Sequence, residues 1–172
     1  GFFDVPVKSL TSKAYAKQVN KRITLNTITP SNEILPGAAM PPESPDTTHF
    51  SVADADGNII SNTYTLNSGF GSGIVIDGTG VLMNNEMDDF VSAPGVPNQF
   101  GLVGGEANKI EPFKRPLSSM TPTLVLEDGK PILATGSPGG SRIITAVLQF
   151  LLNTLDFKME ISDATIAPRV HH

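Results

Sequence analysis

The chemistry in this chain starts at Thr47, in the run Asp46-Thr47-Thr48-His49-Phe50-Ser51-Val52. An internal threonine is a poor nucleophile, because no base accompanies its hydroxyl. Breaking the Asp46-Thr47 bond changes that, since the new terminal α-amine, with an ordinary pKa of about 7.7 to 8.0, takes the hydroxyl proton near neutral pH. One cleavage supplies nucleophile and base together. The preceding stretch carries Pro30, Pro36, Pro41, Pro42 and Pro45, which exclude regular helix and make a loop in which a peptide bond can distort. Taken alone, paired threonines at the start of a strand are ordinary β-sheet chemistry, and the loop suits a plain linker as well as a cleavage junction.

Two further groups of residues carry chemistry. Glu86, Asp88 and Asp89 crowd carboxylates that repel one another unless a cation, either a metal ion or a ligand's ammonium group, joins them. A solvated acidic turn is the simpler alternative. Gly139 and Gly140, in Gly136-Ser137-Pro138-Gly139-Gly140-Ser141-Arg142, precede an apolar helical run. The amino end of a helix has free N-H groups and partial positive charge, and two glycines let an acyl oxygen approach them, which makes an oxyanion hole. Read without Thr47, the same residues are a glycine turn before a helix.

Two other patterns dissolve on inspection. Asp54, Asp56 and Asn58 evoke a calcium loop, but the glycine and closing acid of an EF-hand are misplaced, and turn chemistry accounts for them. The glycines of Ser68-Gly69-Phe70-Gly71-Ser72-Gly73 lack the Lys-Ser/Thr end of a phosphate loop.

These residues need elements to position them. Thr11 or Ser12 caps a surface helix running to Ile23. Residues 47–53 and 59–67 alternate as a hairpin about Asp54-Ala55-Asp56-Gly57-Asn58, which returns Thr63 and Thr65 beside Thr47. Ile74-Val75-Ile76 and Val81 to Asn84 read as short buried strands delivering the acidic turn to one end of the sheet. Ser92 to Gly105 is a non-regular loop. Residues 121–127 and 131–135 form a second hairpin about Asp128-Gly129, followed by a helix from Arg142 to Asp156 that is apolar nearly all round and packs on both sides. A short helix and Pro168 close the chain, and His49 and the histidines at 171 and 172 read as structural.

Composition bounds the function. The 172 residues, 39% apolar with a formal net charge of -5, describe a mildly acidic globular protein without the basic patch of a nucleic-acid binder. Zero cysteines exclude disulfides, thiolate metal sites and a cysteine nucleophile, while leaving the compartment open. The longest apolar run, Ile143 to Leu152, is far short of the roughly 20 residues that span a bilayer, so no membrane insertion is expected.

The runs from Thr47 to Val52, Thr63-Tyr64-Thr65-Leu66-Asn67, Asn84 to Phe90, Lys114-Arg115-Pro116-Leu117-Ser118-Ser119-Met120 and Gly136 to Arg142 strongly resemble, in order, those of the γ-glutamyltranspeptidase family. The resemblance covers the whole chain. It implies an α+β fold, part of the αββα sandwich of N-terminal-nucleophile hydrolases. Residues 1–46 correspond to the end of the large subunit and 47–172 to a C-terminally truncated small subunit. The chain is expected to be an uncut piece of a longer precursor, which is periplasmic or secreted.

By the same resemblance, Thr47 is the catalytic nucleophile freed by cleavage after Asp46, Thr65 orients it, and Gly139 and Gly140 form the oxyanion hole. Asn67, Glu86 and Asp89 bind the α-amino group of a γ-glutamyl substrate, and Ser118 and Ser119 bind its α-carboxylate; Asp88 has no assigned role. The family's arginine for that carboxylate belongs to the large subunit, the expected heterodimer partner. The loop from Ser92 to Gly105 closes over the substrate, and Phe100 departs from the tyrosine of bacterial relatives, which removes a hydroxyl from this lid. No metal or other cofactor is implied. The implied activity is an autoprocessing γ-glutamyltransferase and hydrolase of glutathione and similar amides, passing the acyl group to water, amino acids or peptides. The alternatives are a glutaryl (cephalosporin-type) acylase of the same fold, or a non-catalytic acidic module binding a metal or a peptide.

Overall fold

The computed structural model describes residues 6–29 and 46–171. Most of the proline-rich stretch before Asp46, residues 30–45, lies outside the described residues, as do residues 1–5 and His172. Helix α1 (Val7–Leu10) leads into α2 (Lys13–Asn20). Of the two candidate caps Ser12 does the work, its hydroxyl accepting from the Tyr15 N-H at 3.1 Å. Neither helix buries a residue, as expected of a surface element.

Strands β1 (Thr48–Ala53) and β2 (Ile59–Tyr64) pair antiparallel, Thr48 opposite Tyr64 and Ala53 opposite Ile59. Their turn is closed by Asp54, whose carboxylate accepts from the Asp56 N-H at 3.0 Å, the Asn58 N-H at 2.8 Å and the Asn58 side chain at 2.7 Å. The same hydrogen bonds, the Asn58 side chain first, hold the Asp54 carboxyl below its ordinary pKa. Strands β3 (Thr123–Glu127) and β4 (Lys130–Thr135) form the second hairpin, with a register shift between Val125 and Leu126. Asp128 and Gly129 both take positive φ, 49° and 77°, as the tight two-residue turn requires. The hairpins lie against each other, and the Ser61 hydroxyl donates to the Thr135 carbonyl at 2.9 Å.

Two expectations need correction. The segments about Val75 and Leu82 form a single bridge, supported by Ile76 N-H to Val81 O at 2.9 Å and Met83 N-H to Ile74 O at 2.8 Å. They are not buried: Ile74 is 62% and Val75 56% exposed, because no second layer among the described residues covers them. The helix after Gly140 is also not packed all round. Helix α3 (Arg142–Leu151) passes into one π-helical turn, Leu152–Asp156, and buries only Ile143 and Val147, leaving Ile144 and Leu148 exposed.

The polar interruptions in α3 have their own task. Gln149 pairs with the backbone of Val170 in both directions, at 2.7 and 2.9 Å, and the Thr145 hydroxyl meets His171 Nδ1 at 2.9 Å. They fasten the tail that follows α4 (Ile161–Ile166), whose last carbonyls receive the Arg169 guanidinium. The apolar core of the described residues is small: Phe90, Val91, Ile143, Val147 and Ala164.

Candidate active site

Continuing the hairpin register one step beyond the Thr48–Tyr64 pair sets Thr47 opposite Thr65 at the open end of β1 and β2. Thr47 is half-buried, while Asp46 before it is exposed, its carboxyl close enough to Gly69 that a Cβ there would stand 3.2 Å away. The Thr65 hydroxyl accepts from the Asn67 N-H at 2.9 Å, and its own proton remains to be donated. Asn67 is a buried polar residue, held at φ 76°. Asparagine tolerates that left-handed backbone, and such conformations concentrate at functional sites. Its side-chain amide donates to the Asn85 carbonyl at 3.2 Å, while the Asn85 side chain pairs with Ser68 at 3.0 Å in both directions.

Beyond Asn85 the chain makes a 3-10 turn, Glu86–Asp89, which gathers the carboxylates. Burial and the hydrogen bond and charge of Asp89 push the Glu86 carboxyl up to about 7. Asp89 is raised as well, by burial first and by the Asp88 charge, but its bond with Glu86 opposes the rise. The two carboxyls titrate as a coupled pair and hold their protons to higher pH than ordinary carboxylates do. Asp88 faces away from this pair toward the following loop: its carboxylate accepts from the Gln99 N-H at 3.0 Å and its carbonyl from the Asn98 side chain at 3.4 Å. Asn98 in turn orders the loop, its Oδ1 accepting from the Phe100 and Leu102 N-H groups at 3.0 and 2.9 Å.

At the amino end of α3, Gly140 takes φ 58° and Gly139 φ 128°, and the Arg142 N-H returns to the Gly139 carbonyl at 3.1 Å. Ser141 makes no side-chain cap, and the Ile143 N-H likewise returns to the Gly140 carbonyl at 3.2 Å, so both glycine carbonyls turn into the helix. A close contact ties this turn to β1, the strand that follows Thr47. Gly136 lies so near the His49 ring that a Cβ there would overlap the imidazole, whose Nδ1 meets the Thr63 hydroxyl at 2.7 Å.

These segments enclose a cavity of about 90 Å³. Thr47, Thr65, Asn67, Asp89, Ser118, Ser119 and Gly140 all line it, brought together from five separate stretches of chain. Phe90, Val91 and Ile143 join the core to it, and Asn98, Phe100 and Leu102 of the ordered loop form part of the wall. Glu86 and Gly139 are not in its lining. Glu86 acts on it through Asp89, and Gly139 stands one residue behind Gly140. Sequence reasoning missed Asn85, Asn98 and Asn108, which hold the loops by side-chain hydrogen bonds; an asparagine in a loop carries no signal that separates such a bracket from a solvated turn.

The sequence model of the Gamma-glutamyltranspeptidase family matches residues 1–172. The chain is 57% identical over 171 residues to a glutathione hydrolase proenzyme of Escherichia coli, covering 99% of this chain and 30% of that protein. It is 53% identical over 171 residues to a glutathione hydrolase proenzyme of Pseudomonas aeruginosa, again spanning 30% of the relative's length. Among solved structures, a gamma-glutamyltranspeptidase from Pseudomonas nitroreducens complexed with L-DON superposes with a TM-score of 0.70 at 58% identity, over 73% of this chain and 65% of that one. A variant of the Helicobacter pylori gamma-glutamyltranspeptidase gives 0.69 at 61% identity, over 72% of this chain and 67% of that one. The α+β arrangement is therefore part of the αββα N-terminal-nucleophile-hydrolase sandwich. Sequence, fold and the cavity agree, and the chain belongs to the gamma-glutamyltranspeptidase family.

Proposed function

We propose that the complete protein carrying this chain cuts itself between Asp46 and Thr47 and then cleaves γ-glutamyl amides, glutathione among them. The observation that carries the reading is the convergence of Thr47, Thr65, Asn67, Asp89, Ser118, Ser119 and Gly140 on one cavity. Thr47 Oγ1 attacks the γ-carbonyl as its hydroxyl proton passes to the new α-amine, and the N-H groups about Gly139 and Gly140 carry the oxyanion. Collapse of the tetrahedral adduct leaves an acyl ester on Thr47, while the amine returns its proton to the departing nitrogen. Water, an amino acid or a peptide then attacks the ester, with the amine again moving the proton.

Asp89, backed by Glu86, takes the donor's α-ammonium group, and Ser118 and Ser119 donate to its α-carboxylate. The family names of the relatives support glutathione as donor, and the remainder of the precursor supplies the large subunit. A crowded, partly protonated acidic pair beside the nucleophile favours an amine-bearing acyl group over a glutaryl one. Comparing the complete protein on γ-glutamyl and glutaryl anilides tests this. The γ-glutamyl compound should turn over at least 100-fold faster in kcat/KM, since an unpaired buried carboxylate opposes the glutaryl group. Equal rates would overturn the assignment of donor.

A further inference from the structure

Asn108 lines the cavity, half-buried, and has no part in the chemistry described above. Its side chain spans two loops: Nδ2 donates to the Asp89 carbonyl at 2.7 Å, and Oδ1 accepts from the Leu117 N-H at 3.1 Å. Its partners fix which way the amide points, because a carbonyl needs a donor and an N-H needs an acceptor. The backbone is engaged as well, the Asn108 carbonyl accepting from the Val91 N-H at 2.9 Å and its N-H donating to Gly105 at 3.0 Å. One amide thus links the residue that presents a cavity carboxylate, Asp89, to the residue immediately before the cavity serines, Ser118 and Ser119.

We propose that Asn108 is a positioning and specificity-determining residue, a spacer that sets the distance between the ammonium-binding and carboxylate-binding ends of the pocket so that both charges of an α-amino acid group are held at once. The inference rests on the donor assignment above and adds to it a residue through which the two ends communicate. The Val91–Lys109 bridge joins the segment after Asp89 to that of Asn108, and the Asn108 side chain carries the link on to Leu117. The 3-10 turn Glu86–Asp89 and the segment about Ser118 belong to no strand, so their separation depends on such side-chain brackets.

The test uses the complete protein, its Asn108→Leu and Asn108→Ala variants, and three inhibitors: glutamate, glutarate, which lacks the amine, and 4-aminobutyrate, which lacks the α-carboxylate. In the unaltered protein glutamate should bind more tightly than either half-ligand. In the variants KM for a γ-glutamyl anilide should rise about tenfold, the worth of two hydrogen bonds, with kcat within threefold. The advantage of glutamate over both half-ligands should shrink by a similar factor. Asn108→Ala, with room for a water to bridge the loops, should lose less than Asn108→Leu. An unchanged ratio of glutamate to half-ligand binding in folded variants, or a fall in kcat alone, would overturn the spacer role. Failure of the unaltered protein to prefer glutamate would instead overturn the donor assignment. Melting curves identify any variant that has not folded, and the other variant then decides.

Discussion

At the scale of single residues, the chemistry is set by what each side chain can and cannot do in its place. The Glu86 carboxyl, pushed up to about 7 by burial and by Asp89, is half-protonated at neutral pH. A donor's ammonium group binds best once that proton has left, so KM for a γ-glutamyl anilide should fall as pH rises through about 7, and Glu86→Gln should flatten that step. Stability has the opposite sign. The folded chain holds the pair's protons more tightly than the unfolded chain does, so the pair's contribution is fully present below the ordinary carboxylate pKa and is lost as pH rises to about 7. Melting temperature of the unliganded protein against pH checks this: the unaltered protein should lose stability between about pH 4.5 and 7 relative to Glu86→Gln. Thr47, Asn67, Asp89 and the serines were legible in the sequence because their motifs stand in a recognisable order. Asn85, Asn98 and Asn108 were not, since each bridges loops whose proximity only the fold creates.

At the scale of elements, the cavity depends on how β1, the strand after Thr47, meets the turn before α3. His49, two residues after Thr47, packs its ring on Gly136, three residues before Gly139, and is held there by Thr63. Burial lowers the pKa of this histidine, so the ring that fills the contact is the neutral one. Gly136→Ala drives a methyl group into the imidazole and should cut kcat more than tenfold by pushing the strand and turn apart. Adding His49→Ala removes the obstacle, and the double variant should recover part of the loss. Additive damage in steady-state kinetics would show that the contact does not set their spacing. Both hairpins were readable from two-residue alternation and from their Asp- and Gly-containing turns. Burial of the Val75 and Leu82 segments and of the outer face of α3 was misread for one reason: an apolar pattern says that a surface wants covering, whereas the covering layer comes from elsewhere.

At the scale of the whole molecule, few large apolar side chains are buried among the described residues, and many stand exposed, including Ile60, Phe70, Ile74, Ile144 and Leu148. No described helix is long and apolar enough to cross a membrane. The chain spans 30% of the length of its Escherichia coli relative. Experiments on activity therefore belong to the complete protein. Thr47 must become an amino terminus to act as proposed, and intact mass of the purified complete protein measures that directly. Two chains are predicted, the smaller beginning at Thr47, with Thr47→Ala left whole and without turnover. A single uncut chain that is nonetheless active, a new terminus at any other residue, or normal maturation of Thr47→Ala would contradict it.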